Sequence, residues 1–161
     1  MLTDEQLVLL KADILADPVL AQWAQTGYMA SEIAGAYNEK AAPDWTVWKS
    51  SVSWAEIMGN GMNWTRVDNL SVGKARIWEW MFVDGVMVPS KPNIRAGIEA
   101  VWVGTAADLA VRAMVYTHCK WLASRVEKLL SVGVGSDEAP ATMGWEGAIT
   151  YQDVEAALAL A

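Results

Sequence analysis

The sequence has one cysteine, one histidine and no apolar run of 18 or more residues. A lone Cys119 excludes an internal disulfide and is typical of a protein assembled in a reducing compartment. Together, Cys119 and His118 cannot complete a zinc site without carboxylates, and no metal-ligand spacing is present. The lack of a long apolar run predicts no transmembrane span, and the acidic N-terminal segment does not fit a signal peptide. We expect no metal, no cofactor and no membrane partner.

Positive charge is also scarce. The chain has 12 Lys and Arg residues and 19 Asp and Glu residues, which gives a net charge of −7. Gripping nucleic acid needs clustered basic side chains, so an acidic chain is a poor candidate for this role. An acidic protein can instead line a passage through which DNA slides, because like-charge repulsion keeps the DNA from binding to it. The charge therefore predicts no specific DNA binding, although it allows DNA to pass nearby.

Side chains in catalytic arrangements are few. His118 and Cys119 are adjacent, but neighbours on a helix point about 100° apart, so a core histidine beside a buried cysteine is favoured over a nucleophile and its base. Gly133-x-Gly135 follows a helical pattern and lacks the Gly-Lys-Ser/Thr ending of a phosphate loop. The carboxylates are scattered without a spacing that forces a pair together. The sequence predicts that the protein is not an enzyme.

Tryptophan is abundant, at 10 of 161 residues, in a chain that is 53% hydrophobic and only 19% charged. Six of the ten lie between Trp45 and Trp80, too close in sequence to share one buried face. One interpretation is a tryptophan-rich core. The other is a set of anchors at subunit contacts, where Trp often dominates the binding energy. The candidate interface residues are Trp45, Trp48, Trp54, Trp64 and Trp145.

The longest helical pattern covers Thr105–Leu130. Thr105 and Asp108 form a capping signal at its start, and apolar residues recur on one broad face. Arg125 lies at the edge of that face and needs a partner or a route to water. The pattern predicts a mostly α, single-domain helical bundle with a long central helix over about 105–130 and little or no sheet.

Shorter helices are predicted along the rest of the chain. The first runs over about Asp4–Ala16, after a capping box of Thr3 and Gln6. Residues 131–143 contain glycines, a proline and an acidic pair, which is typical of a long loop or flexible arm. The predicted organisation is a helical core over 1–130, with a flexible arm and C-terminal helix over 131–161 in the same domain.

Several segments, in order along nearly the whole chain, resemble structural proteins of tailed bacteriophages and prophages. No single motif carries the resemblance; the segments carry it together. They are LTDEQLVLLKADILADP, AYNEKAAPDWTVWKSSV, WTRVDNLSVGKARIWEW, KPNIRAGI, KWLASRVEKLL and GSDEAPATMGWEGAITYQDVEAAL.

The resemblance implies a helical virion component of the head–tail connector, or neck adaptor, type. Such a subunit forms a homo-oligomeric ring, for example a dodecamer, between the portal protein and the tail or tail-terminator proteins. DNA passes through without specific binding, and assembly takes place in the host cytoplasm. The family supplies no catalytic residues. The alternatives are a tail-assembly chaperone, which is absent from finished particles, and a capsid decoration or tail-associated protein.

Overall fold

The computed structural model describes residues 1–160; Ala161, the end of the predicted C-terminal segment, lies outside the described residues. Within that range no helix is long and apolar enough to cross a bilayer. The helices are α1 Asp4–Ala16, α2 Pro18–Thr26, α3 Ala30–Asn38, α4 Trp54–Met58, α5 Trp64–Asp68, α6 Val72–Trp80, α7 Pro92–Val101, α8 Ala106–His118, α9 Arg125–Leu129 and α10 Tyr151–Ala159. The strands are β1 Thr46–Trp48, β2 Val52–Ser53, β3 Val86–Met87, β4 Lys120–Leu122, β5 Ser131–Val132 and β6 Ala141–Met143.

The chain divides into two compact units. Among the described residues, the terminal unit contains Met1–Val47 and residues 122–160, and the central unit contains Trp48–Trp121. Each unit has its own cluster of buried apolar side chains. Because burial of apolar surface is the main force that stabilises a fold, each unit has its own source of stability.

In the terminal unit, local sequence signals set the helix ends. Thr3 and Gln6 form the predicted capping box, and α1 has the predicted bounds. Asp17 accepts hydrogen bonds from two backbone N–H groups at the start of α2, which stabilises that helix end. Gly27 ends α2 at φ 72°, a conformation in which a side chain would be strained. These caps direct α1, α2 and α3 back onto one another.

The core of the terminal unit is formed by apolar faces of helices that are distant in sequence. Leu10 and Ile14 of α1 are fully buried, as are Ile33 of α3, Val126 of α9 and Val154 of α10. These side chains belong to one contiguous cluster. The N-terminal and C-terminal segments of the chain therefore fold together.

Strand β5 is the outermost strand of a four-stranded mixed sheet with the order β4-β1-β6-β5. It pairs antiparallel with β6, with Ser131 opposite Met143 and Val132 opposite Thr142. On its other side the sheet has no further strand within residues 1–160.

The central unit packs α4–α8 around a short antiparallel pair, β2 and β3, with Val52 opposite Met87. Its core holds Trp78 and Trp102, whose ring centroids lie 5.3 Å apart in an edge-to-face arrangement. Asp108, in the first turn of α8, accepts bonds from Thr105 and from Arg66 of α5. Those bonds tie α5 to the start of α8.

The prediction of a long central helix over 105–130 is wrong. Helix α8 ends at His118, and α9 begins anew at Arg125. Ser124 and Glu127 form a capping box at this new start, so the sequence carries the signal for a break. The backbone N–H of Ala123 donates to the carbonyl of Trp45, a bond that a continuous helix would not allow.

The prediction of a helical bundle with little or no sheet is wrong as well. Residues 1–160 contain six strands, and residues 131–143, expected to be a loop or arm, contain β5 and β6. Each strand is only two or three residues long, and alternation of polar and apolar residues needs four or more positions to be recognised. The pattern of the sequence could therefore not indicate them.

Candidate functional site

Trp54 and Trp64 form an exposed aromatic pair in the central unit. Each is the first residue of a short helix, α4 after the Ser53 cap and α5 after the Asn63 cap. The two ring centroids lie 6.5 Å apart, with a tilt of 53° between the ring planes. Trp54 is 46% exposed and Trp64 is 56% exposed. Large rings left half in water are typical of surfaces that a partner covers.

The other three predicted interface residues are covered within their own units. Trp48 is buried, with its ring edge-to-face against Tyr116 at 5.3 Å and the guanidinium of Arg95 over it at 4.9 Å. Trp45 is half-buried and donates its indole N–H to Ser131. Trp145 is half-buried against the core of the terminal unit. The structure thus brings together only Trp54 and Trp64.

Trp80 is a further exposed ring that the sequence analysis did not select. It lies at the end of α6 and is 73% exposed, whereas Trp78, two residues earlier, is buried. Positions two apart on a helix point about 200° apart, so both rings cannot face one core. This spacing is the signal that could have identified Trp80.

His118 and Cys119 do not form a catalytic pair. Cys119 is buried, and burial raises the pKa of its thiol to about 12, so the thiol stays protonated at neutral pH. His118 turns elsewhere: its Nε2 lies 3.3 Å from the carbonyl oxygen of Asn60, and its Nδ1 lies 3.9 Å from Glu56. A protonated thiol without a base is a poor nucleophile.

Arg125 has ion-pair partners, as its predicted place at the edge of an apolar face requires. Its Nη2 lies 3.0 Å from a carboxylate oxygen of Asp13 and 3.2 Å from one of Asp17. The guanidinium carbon lies 4.6 Å from the ring centroid of Tyr37, a cation–π arrangement. The Tyr37 hydroxyl donates to the same oxygen of Asp13, at 2.5 Å. These contacts connect α9 to α1 and α3.

Burial and hydrogen bonds shift the pKa values of three groups in this cluster. Burial alone lowers the pKa of Arg125, but the hydrogen bonds to Asp13 and Asp17 outweigh it and raise that pKa. A hydrogen bond from the backbone N–H of Leu20 is the main cause that holds the pKa of Asp17 below its usual value. Burial raises the pKa of Tyr37, and the bond to Asp13 raises it further. The surroundings therefore favour the charged forms of Arg125 and Asp17 and the neutral form of Tyr37.

A cleft of about 660 Å³ opens beside this cluster, entirely within the terminal unit. Its volume is in the range of sites that bind small molecules or short peptide segments. Negative and positive side chains line it together with one aromatic ring and the start of β5. The lining includes Asp13, Asp17, Glu39, Lys40, Trp45, Arg125, Lys128, Leu129, Ser131 and Gly133.

Within residues 1–160, no three histidine, cysteine or carboxylate side chains are placed to hold a metal ion. Comparison with known proteins found no matching family model, no similar curated protein and no similar solved structure.

Proposed function

We propose that the protein is a non-enzymatic assembly subunit of a tailed-phage virion, of the head–tail connector type. Its role is structural. Copies of the protein form a ring, and the ring joins the portal protein to the tail or tail-terminator proteins in the neck of the particle. The exposed pair of Trp54 and Trp64 carries this proposal, because rings in that position are suited to being covered by another subunit. The resemblance of the sequence segments supplies the class of assembly.

The size of the two rings makes them sufficient anchors. A tryptophan buries about 150–250 Å² in a full contact, so covering the exposed half of each ring removes about 100 Å² from water. At about 25 cal/mol per Å², each ring contributes about 2.5 kcal/mol to association. That value is above the level at which an interface residue dominates binding, about 2 kcal/mol.

The charge of the chain supports the same proposal. A net charge of −7 disfavours adhesion to DNA, as a passage for packaged DNA requires. A ring of identical subunits uses two different patches that meet head to tail, and closure of the ring covers both. Exposed aromatic surface on a small acidic subunit suits that arrangement.

A tail-assembly chaperone is the second candidate, because exposed tryptophans also suit transient capture of an apolar helix. The two candidates differ in the finished particle, where a connector is retained and a chaperone is absent. Mass spectrometry of purified particles of the encoding phage separates them. The copy number per particle then separates a connector from a capsid decoration or tail-associated protein, since the resemblance implies a single neck ring, for example a dodecamer.

The first test is the mass of the full chain in solution by light scattering, alone and with its portal protein. We expect a closed ring, either free or formed on the portal. Trp54→Ala and Trp64→Ala should each weaken association about seventy-fold, the factor for a loss of about 2.5 kcal/mol. Circular dichroism should show that both variants remain folded, since neither ring is part of the core.

Tyr28→Ala is the matched control. Tyr28 is 91% exposed and lies in the terminal unit, and none of the aromatic rings in residues 1–160 is paired with it. Its removal should leave association unchanged. A wild-type chain that stays monomeric even with the portal present would contradict the connector proposal. Equal loss of association in the Tyr28 variant would contradict the role of the tryptophan pair.

A further inference from the structure

The cleft of the terminal unit contains a lysine that no carboxylate among the described residues neutralises. Arg125 bonds Asp13 and Asp17, and Lys40 bonds Asp44 at 2.8 Å. For Lys128, one turn after Arg125, the described residues provide no carboxylate at ion-pair distance; its Nζ lies 5.2 Å from the ring centroid of Trp45. A lysine held over an aromatic face beside a cleft can still bind an anionic group.

Arg125 also keeps part of its hydrogen-bonding capacity. Both of its ion pairs run through Nη2, and among residues 1–160 its Nε and Nη1 have no side-chain partner. A guanidinium has five N–H donors, so three remain for a ligand. Arg125 and Lys128 lie three residues apart on α9, which places them on the same side of the helix. Together they favour a carboxylate.

The remaining walls of the cleft favour an extended peptide. Ser131 and Gly133 belong to β5 and its continuation, and β5 is the outermost strand of its sheet. An outermost strand presents backbone groups that an added strand can bond. Trp45 and Leu129 supply apolar surface for the side chains of such a strand. Glu39, an exposed carboxylate on the α3 side, disfavours a second negative charge there.

We propose that the cleft binds an extended peptide segment of a partner protein that presents one acidic side chain to Lys128 and Arg125. The identity of the partner, a portal or tail protein, rests on the proposed function. The binding itself does not, because it is measured on the isolated full chain. Failure of the Trp54 and Trp64 test with success here would reject the connector and keep the peptide site.

The test uses the full chain labelled with 5-fluorotryptophan, with the Trp45 resonance assigned through Trp45→Phe. The probe is a pentapeptide, acetyl-Gly-Val-Glu-Val-Gly-amide. We expect a saturable shift of the Trp45 resonance with a millimolar dissociation constant. Lys128→Gln should weaken binding about five-fold, the effect of losing one partly exposed charge pair. A probe with Gln in place of Glu should weaken it by a similar factor.

Lys91→Gln is the control for a general loss of positive charge, since Lys91 is an exposed lysine of the central unit. This variant should bind the peptide as the wild type does. No shift of the Trp45 resonance, or an equal shift with the Gln probe, would overturn the proposal. An identical shift with sodium acetate alone would overturn it too, since that outcome describes a site for free anions rather than a peptide.

Discussion

Replacing Gly135 by alanine should show how tightly the fold holds the wall of the cleft. Gly135 has φ 73°, and a Cβ atom there would overlap Cδ2 and Cε2 of Trp45 and lie 2.6 Å from Cε3. The left-handed conformation costs alanine about 1 kcal/mol. Displacing the ring adds about 2 kcal/mol of packing strain and about 1 kcal/mol for its hydrogen bond to Ser131. We expect the variant to lose about 4 kcal/mol of stability.

Gly27→Ala is a matched control in the same unit. Gly27 has φ 72°, but a Cβ atom there would meet nothing within 4 Å, so only the backbone cost of about 1 kcal/mol applies. Urea denaturation followed by far-UV circular dichroism measures both variants. The difference between them reports the contact with Trp45. Equal losses of stability in the two variants would refute the packing of Gly135 against this ring.

Two further predictions concern ionisable groups of the central unit. The hydrogen bond from Thr105, followed by that from Arg66, lowers the pKa of Asp108 below its ordinary 3.8. The stabilisation from Asp108 is therefore complete above about pH 3.8 and is lost as the pH falls through the lowered pKa. Acidification from pH 7 to about pH 3 should then shift the urea midpoint less in Asp108→Asn than in the wild type. An equal shift would contradict this. Because burial raises the pKa of Cys119 to about 12, the native thiol should react with a thiol-specific reagent at pH 8 only after unfolding; rapid reaction of the native protein would contradict the burial.

Local signals in the sequence predicted the starts of helices, whereas contacts between distant residues decided the rest. The capping box at Thr3 gave α1 correctly, because all its atoms lie within one turn. The sequence has an equivalent capping box at Ser124, but apolar residues recur at helical spacing on both sides of it. The pattern therefore predicted one continuous helix. The bonds that interrupt this helix, such as that from Ala123 to Trp45, join residues far apart in sequence. Such bonds leave no periodic trace.

The same distinction applies to the candidate sites. The sequence predicted that Arg125 needs a partner. It could not identify Asp13 as that partner, because Asp13 lies 112 positions away. The cleft exists only because α1, α3, α9 and β5 meet, so its lysine and its outermost strand could not be predicted together. For the tryptophans, the sequence shows that there are more rings than one buried face can hold. Only the structure shows which of them other side chains cover.

That distribution is itself informative about function. The exposed tryptophans among the described residues are Trp54, Trp64 and Trp80, and all three belong to the central unit. Lys128, which lies over the ring of Trp45, and the outermost strand β5 belong to the terminal unit. Burial of rings gives strong contacts with little directional preference, whereas strand pairing and a charge select a particular sequence. Under the two proposals, the exposed rings of the central unit would form the contacts between copies, and the cleft of the terminal unit would select the partner segment.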